Sequence, residues 1–135
     1  MKRKRGASLV EVTVGLFIII PMFLAIIDLS AIVVGQIVND AMAKRAARAA
    51  AHQENAGAAT TAAQNVVSAY LPNGIVTSIA IEKVDFDKDK SGKVVVETKT
   101  IINIPAPIQI VSIFQNGRAM HARATEPIVM LTDNP

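Results

Sequence analysis

A long apolar run near the amino terminus restricts the folds open to this 135-residue chain more than any other feature. From Leu9 to Val38 the only charged residues are Glu11 and Asp28. The run as a whole is apolar on every side of a helical projection, and not along one stripe. Such a helix is stable in lipid or among like helices, because in water it would expose apolar side chains all round. We therefore expect a membrane-spanning or assembly helix here.

The basic charge of the chain is concentrated ahead of this run. Lys+Arg total 14 against 11 Asp+Glu, and the first five residues supply Lys2, Arg3, Lys4 and Arg5. The rest of the chain is nearly neutral, so we expect no nucleic-acid partner, which would require cations clustered on a folded face. By the positive-inside rule the basic tip stays in the cytoplasm and the C-terminal part lies outside.

A cleaved secretory signal peptide is the alternative explanation of the run. Its apolar part spans only about 7–15 residues and ends at a small-residue cleavage site. The present run is much longer, and the alanine-rich Ala46–Ala51 lies well beyond its end. The run is therefore better explained as a helix that remains in the protein.

The two acidic residues of the run would lie at different depths in a bilayer. With Arg5 at the inner interface, a rise of about 1.5 Å per residue places Glu11 about 9 Å and Asp28 about 35 Å along the helix. Glu11 must then be neutralised by a proton or by a cation from another chain, or must reach back to the interface. Asp28 falls near the far interface, where it either needs no partner or takes part, like Glu11, in contacts with other subunits. The apolar Leu29–Val38 would project further, which implies helix packing or a tilted helix, and Pro21 permits a kink.

The junction between the basic tip and the run carries a family resemblance. Its sequence, GASLVE, resembles the processing site of type IV-like prepilins. In that family a prepilin peptidase cleaves after the glycine, here Gly6, so that Ala7 becomes the first residue. The glutamate at the fifth mature position, here Glu11, guides assembly.

The following segments are similar to the TadE-like pseudopilins of tight-adherence pilus systems. The shared features are the proline in the run, the acidic Asp28 near its end, the extension AMAKRAARAAA and a C-terminal MHARATEP. The resemblance implies a minor pilin or pseudopilin of the bacterial inner membrane that enters a pilus or a related secretion filament. It implies as partners the prepilin peptidase, other pilin subunits and an inner-membrane assembly platform, besides the lipid bilayer.

The rest of the chain predicts a small α+β domain. The stem helix should continue to about His52, since alanine has the highest helix propensity. Periodicity and turn residues predict one further helix and three strands, at Ala58–Leu71, Ile75–Phe86, Lys93–Ile104 and Arg118–Glu126. The predicted fold is α+β and pilin-like: a long helix, a short helix and a three-stranded antiparallel sheet. We divide the chain into a leader, a transmembrane or assembly helix, a polar stem and an extracytoplasmic domain, at 1–6, 7–38, 39–56 and 57–135.

Alternation and spacing also predict which faces are buried. One side of the second strand carries Val94, Val96, Thr98, Thr100, Ile102 and Ile104, and one side of the third carries Met120, Ala122 and Ala124. The expected stripe of the short helix is Ala62, Val66, Val67, Tyr70 and Leu71. The cations of the stem, Lys44, Arg45 and Arg48, are expected to contact lipid headgroups or acidic groups of neighbouring subunits.

A turn rich in aspartate was tested as a metal site. Asp85, Asp87 and Asp89 have the alternate spacing of an EF-hand loop, but the positions that need glycine and glutamate hold Lys90 and Val96. A solvated hairpin turn is the better interpretation and calcium the weaker one, so we predict neither metal nor cofactor. The apolar segment 105–117 is expected either to cover the core or to form a contact patch.

Enzyme chemistry has little support in the sequence. His52 and His121 are isolated and expected to be solvated, and no HExxH motif, glycine-rich phosphate loop or nucleophile elbow occurs. We therefore predict a non-enzyme. The alternative to a pilin subunit is an uncleaved single-span membrane protein whose external domain binds a partner.

Overall fold

The computed structural model describes residues 4–104 and 118–129. Two helices precede a three-stranded sheet: α1 (Lys4–Ala51), α2 (Ala56–Ser68), β1 (Val76–Asp87), β2 (Lys93–Ile102) and β3 (Arg118–Pro127). The predicted α+β layout of a long apolar helix, a short helix and an antiparallel sheet is confirmed. Each element lies within a few residues of its predicted position.

Helix α1 is a single element of 48 residues that includes Pro21. It ends at Ala51, one residue before the predicted end, and the Gln53 amide donates to the Ala50 carbonyl at 3.1 Å. Arg48 lies in its last turn, where a cation interacts favourably with the unpaired carbonyls of the helix terminus.

The sheet has the order β1-β2-β3, and both pairs of strands are antiparallel. The turn between β1 and β2 is closed by the Asp87 carboxylate, which accepts from the Lys90 amide at 3.1 Å. Gly92 follows with φ +60°, a conformation that side-chain-bearing residues rarely adopt. The hairpin turn expected between the first two strands is therefore present in the structure.

The inner face of the sheet is the one that strand alternation predicts. The predicted inward residues of the second and third strands are all buried: Val94, Val96, Thr98, Thr100, Ile102, Ile104, Met120, Ala122 and Ala124. This prediction succeeds because side chains alternate between the two faces of a strand.

The buried stripe of α2 agrees with the predicted one in part: Val67 is buried, and the other predicted residues except Leu71 are half-buried. The buried residues are Ala59, Ala63 and Val67, spaced four apart, whereas Leu71 lies beyond the helix and is 84% exposed. Helix α2 ends at Ser68 and packs on α1 through alanines. The prediction weighted the larger apolar side chains, although a close helix pair needs small ones at its contact.

The second half of α1 completes the core of the domain. The alanines of its buried side, Ala43, Ala46, Ala47, Ala50 and Ala51, lie in one cluster with the alanines of α2 and with Val94 and Val96 of β2. Each of the five is at most 3% exposed. The segment interpreted as a polar stem is therefore polar on one side only, and its other side covers the sheet.

Asn39 makes the polar connection between α1 and the sheet. Its side chain is fully buried; its Nδ2 donates to the Met120 carbonyl at 3.1 Å, and its Oδ1 accepts from the Thr98 hydroxyl at 2.9 Å. One helix residue thus bonds two adjacent strands. Buried polar groups need such partners, so these bonds favour one axial position of the helix.

Gly35 lies one turn earlier, directly against Ile102 of β2. A Cβ atom at Gly35 would overlap the Ile102 side chain, which is itself fully buried. Glycine is needed here for a close approach of helix and sheet and not for its backbone conformation.

We expect Gly35→Ala to destabilise the domain. Overpacking costs about 1–3 kcal/mol and outweighs the gain in helix propensity of about 1 kcal/mol. Gly15→Ala is the matched control, because no heavy atom lies within 4 Å of its added Cβ. Thermal melts of the full chain in detergent, followed by circular dichroism, test this. Equal melting temperatures for Gly35→Ala and the parent would contradict the packing argument.

Loss of the Asn39 amide should also destabilise the domain. Asn39→Ala leaves the Met120 carbonyl and the Thr98 hydroxyl without their partner, at a cost of about 1–3 kcal/mol. Thr98→Val should lower the free energy of unfolding by a similar amount, since it leaves the Asn39 Oδ1 without its hydrogen-bond donor. Gln36→Ala is the control: its bond to Asp40 is partly exposed and lies within the helix, so we expect a change within about 0.5 kcal/mol. The same thermal melts measure all three variants. An unchanged melting temperature for Asn39→Ala would refute the stabilising role of its hydrogen bonds.

Candidate functional site

Helix α1 has two parts that differ in what covers them. From Leu9 to Ser30 its large apolar side chains are exposed on all sides except at the half-buried Leu24, with Phe17 at 78% and Leu9 at 70%. From Ala31 onward one side packs on the domain. The helix is long and apolar enough to cross a membrane. About 20 residues span the hydrocarbon core of a bilayer, and the uncovered part of α1 has this length.

Glu11 lies on the uncovered part of α1 and is exposed. Among the side chains that the structure describes, none forms an ion pair with it. In a bilayer this carboxylate would therefore meet lipid or another chain, and not its own domain. A single charge in that setting is costly unless it is neutralised.

Asp28 lies close to the point where packing begins. Its Oδ1 atom is covered by protein and has no hydrogen-bond partner within residues 4–104 and 118–129. A covered carboxylate oxygen without a partner is rare in folded proteins. This atom therefore needs a donor beyond the described chain, such as water, a lipid headgroup or another subunit.

The cations of the stem lie on the side of α1 opposite the buried alanines. Lys44, Arg45 and Arg48 are exposed. Arg48 lies 3.9 Å from the Glu126 carboxylate of β3. Because the Arg48 side chain is 73% exposed, this pair contributes little stability, typically below about 1 kcal/mol.

Two of the three aspartates considered as calcium ligands have separate structural roles. Asp85 pairs with Lys83 at 3.5 Å, and Asp87 closes the hairpin turn. Within the part of the chain that the structure describes, no three metal-binding side chains come together.

His121 has a partner that sequence reasoning missed. Its Nδ1 lies 2.7 Å from Glu82 Oε2, and the Lys99 ammonium lies 4.0 Å from the other oxygen of the same carboxylate. The expectation of an isolated histidine is therefore wrong, although its side chain is 60% exposed. Glu82 lies at a register shift in β1, which simple alternation cannot locate. His52 is exposed, as expected, at the rim of an open cleft that also contacts Lys88.

Several predicted features fall at or beyond the limits of the described chain. Lys2 and Arg3 and the segment 105–117 lie outside the described residues. Lys4, Arg5, Gly6 and Ala7 belong to the first turns of α1.

Comparisons of the chain with protein-family models, with curated proteins and with solved structures found no match. The case for a function therefore depends on the residues and the geometry described above.

Proposed function

We propose that the protein is a minor pilin or pseudopilin, similar to the TadE-like subunits of tight-adherence pilus systems. It is inserted once in the bacterial inner membrane, with its amino terminus in the cytoplasm and its domain on the other side. A prepilin peptidase removes residues 1–6. An assembly platform then moves the subunit into a pilus or a related secretion filament.

One observation carries this proposal: a single unbroken helix is both the apolar anchor and part of the domain core. Leu9–Ser30 is uncovered, while the alanines from Ala43 to Ala51 are buried against the sheet and α2. A force applied to the domain is therefore transmitted to the anchor without a flexible linker. Such a connection would serve the transfer of a subunit from a membrane to a filament, whereas a tethered binding domain has no use for it.

The working chemistry of such a subunit is helix packing and charge neutralisation. After cleavage, the new amine of Ala7 carries a positive charge near the end of α1. Glu11 of a neighbouring subunit, displaced along the filament axis, would compensate that charge. In an apolar surrounding the attraction is strong, and either charge alone is penalised, so the pair would set the register between subunits.

Cleavage between Gly6 and Ala7 is the first testable consequence. N-terminal sequencing of the protein extracted from its native membrane should give Ala7 as the first residue. Gly6→Leu should leave the full-length precursor, because a bulky side chain obstructs the junction in a peptidase active site. Gly15→Leu, a matched change within the apolar run, should be processed normally.

Two results would contradict the cleavage prediction. Met1 at the start of the parent protein would support the uncleaved single-span alternative. If Gly6→Leu still gives a mature chain of unchanged mass, processing does not depend on Gly6.

The second consequence concerns Glu11. We expect Glu11→Ala and Glu11→Gln to be inserted and processed but to fail in assembly, since each leaves the Ala7 amine unpaired at a cost of about 3 kcal/mol or more. Val12→Ala, a change at the adjacent exposed apolar residue, is the control and should assemble. Cross-linking of mature subunits in membranes is the measurement. Normal cross-linked ladders from both Glu11 variants would show that its charge has no role in assembly.

A further inference from the structure

The side of α1 opposite its buried alanines forms a continuous exposed surface, which we call the free face and which strand β3 borders at Met120 and Glu126. Val33, Ile37, Ala41, Lys44 and Arg48 are spaced four, four, three and four residues apart, which places them on one side of a helix. All five are exposed, with Val33 at 51% and Ile37 at 61%. The free face is therefore apolar in its first half and basic in its second.

We propose that the free face rests on the extracytoplasmic surface of an anionic lipid bilayer. Its apolar half lies at the boundary between hydrocarbon and headgroups, and its cations lie toward the anionic headgroups. The inference rests on the membrane-spanning part of the proposed function, and it is independent of cleavage and of filament assembly.

Helix length is the first argument. With Arg5 at the inner interface, Ile37 lies about 48 Å along the helix. In a bilayer core of about 30 Å, an upright helix would therefore hold this apolar residue about 18 Å above the hydrocarbon. A tilt of about 40°, the upper end of the observed range, lowers it to about 7 Å, within the headgroup layer.

The position of the domain sets the direction of the tilt. The sheet and α2 pack on the side of α1 that carries Ala43 and Ala46. A tilt toward the free face raises the folded domain away from lipid, whereas the opposite tilt would press it into the bilayer. Only the first direction brings exposed apolar side chains to the membrane without displacing folded protein.

The order of residues along the free face matches the order of layers in a bilayer surface. Val33 and Ile37 come first and adjoin an apolar groove of about 480 Å³ between α1 and Met120 of β3. Lys44 follows about 10 Å further along the helix. Long cationic side chains extend toward headgroups, and anionic lipids attract such cations over roughly a Debye length of about 8–10 Å.

Site-specific labelling of the full chain in vesicles tests the proposal, because the sequence contains no cysteine. An environment-sensitive fluorophore is attached in turn to Ile37→Cys, Ala41→Cys, Phe17→Cys and Thr125→Cys. Each variant is reconstituted in vesicles of phosphatidylcholine with phosphatidylglycerol. Quenching by aqueous iodide and by brominated lipid measures the depth of the label. Phe17 reports the span, and Thr125, exposed on β3, reports the water-facing side.

The proposal predicts that aqueous iodide quenches the labels at positions 37 and 41 less than the label at position 125. Brominated lipid should quench the labels at positions 37 and 41 more than the label at position 125 and less than the label at position 17. It is overturned if positions 37 and 41 are quenched by iodide like position 125 while position 17 is protected. An aqueous label at position 17 would refute the membrane span itself, and with it both this inference and that part of the proposed function.

Contact with a second copy of the chain would also shield the free face, and dilution separates the two cases. Shielding by lipid is unchanged when the protein-to-lipid ratio falls, whereas shielding by another subunit disappears. Loss of protection at positions 37 and 41 on dilution would overturn the assignment to lipid.

A charge series tests the basic half. In the parent protein, the label at position 41 should lie deeper in vesicles that contain phosphatidylglycerol than in vesicles of phosphatidylcholine alone. The triple variant Lys44→Gln/Arg45→Gln/Arg48→Gln should show no such difference between the two kinds of vesicle. Lys88→Gln/Lys90→Gln/Lys93→Gln is the matched control, because it removes the same charge at the hairpin turn. This turn lies near the C-terminal end of α1: the Gly92 carbonyl accepts from the Ile128 amide, and the adjacent Val129 amide donates to the Ala51 carbonyl. Equal lipid dependence in the two triple variants would overturn the role assigned to the cations.

Discussion

The contact between the alanine side of α1 and the rest of the domain is the constraint on which the structure depends. The sheet presents Val94 and Val96 to this contact, and α2 presents Ala59 and Ala63. Without the helix these side chains would face water, and a domain of this size has few other apolar residues to bury. The long apolar helix and the domain are consequently parts of one folding unit. In a protein built this way, the orientation of the helix determines the orientation of the domain.

Two residues fix how the helix sits on the sheet. The bonds from Asn39 to Thr98 and Met120 are satisfied in one axial position, since a shift of one turn would leave a buried amide among apolar groups. Gly35 permits close approach at one place on Ile102. Alanine contacts alone are nearly the same at each turn of the helix. They bury apolar surface, but they do not favour one axial position of the helix over another. The polar bond and the close approach supply the register that alanines cannot.

Sequence reasoning predicted the strands better than the helix contacts, for a physical reason. Alternation in β2 separates Val94 and Val96 from Glu97 and Lys99, so the inner face of the strand can be predicted from the sequence. Alanine gives no such contrast, because it suits both exposed and buried helix positions. The stem therefore looked polar, and the stripe of α2 was placed on its larger residues, including the exposed Leu71. The Glu82–His121 contact was missed because it depends on a register shift in β1. That α1 is long and apolar enough to span a membrane follows from composition and length, whereas the proposed role in a filament depends on partners that a single chain does not contain.

The uncovered part of α1 limits how such a subunit can leave a membrane. Fourteen large apolar side chains between Leu9 and Leu29 are exposed, and transfer of each to water costs about 1.5 kcal/mol or more, or roughly 20 kcal/mol together. That sum exceeds the folding free energy of a typical domain, about 5–15 kcal/mol. Extraction through water would therefore be harder than unfolding the domain. In the proposed function, the helix would therefore pass directly from lipid to other apolar helices, and Glu11 would meet its compensating charge in the same step. The contacts of α1 with the sheet through Asn39 and the alanines would carry the domain along with the helix.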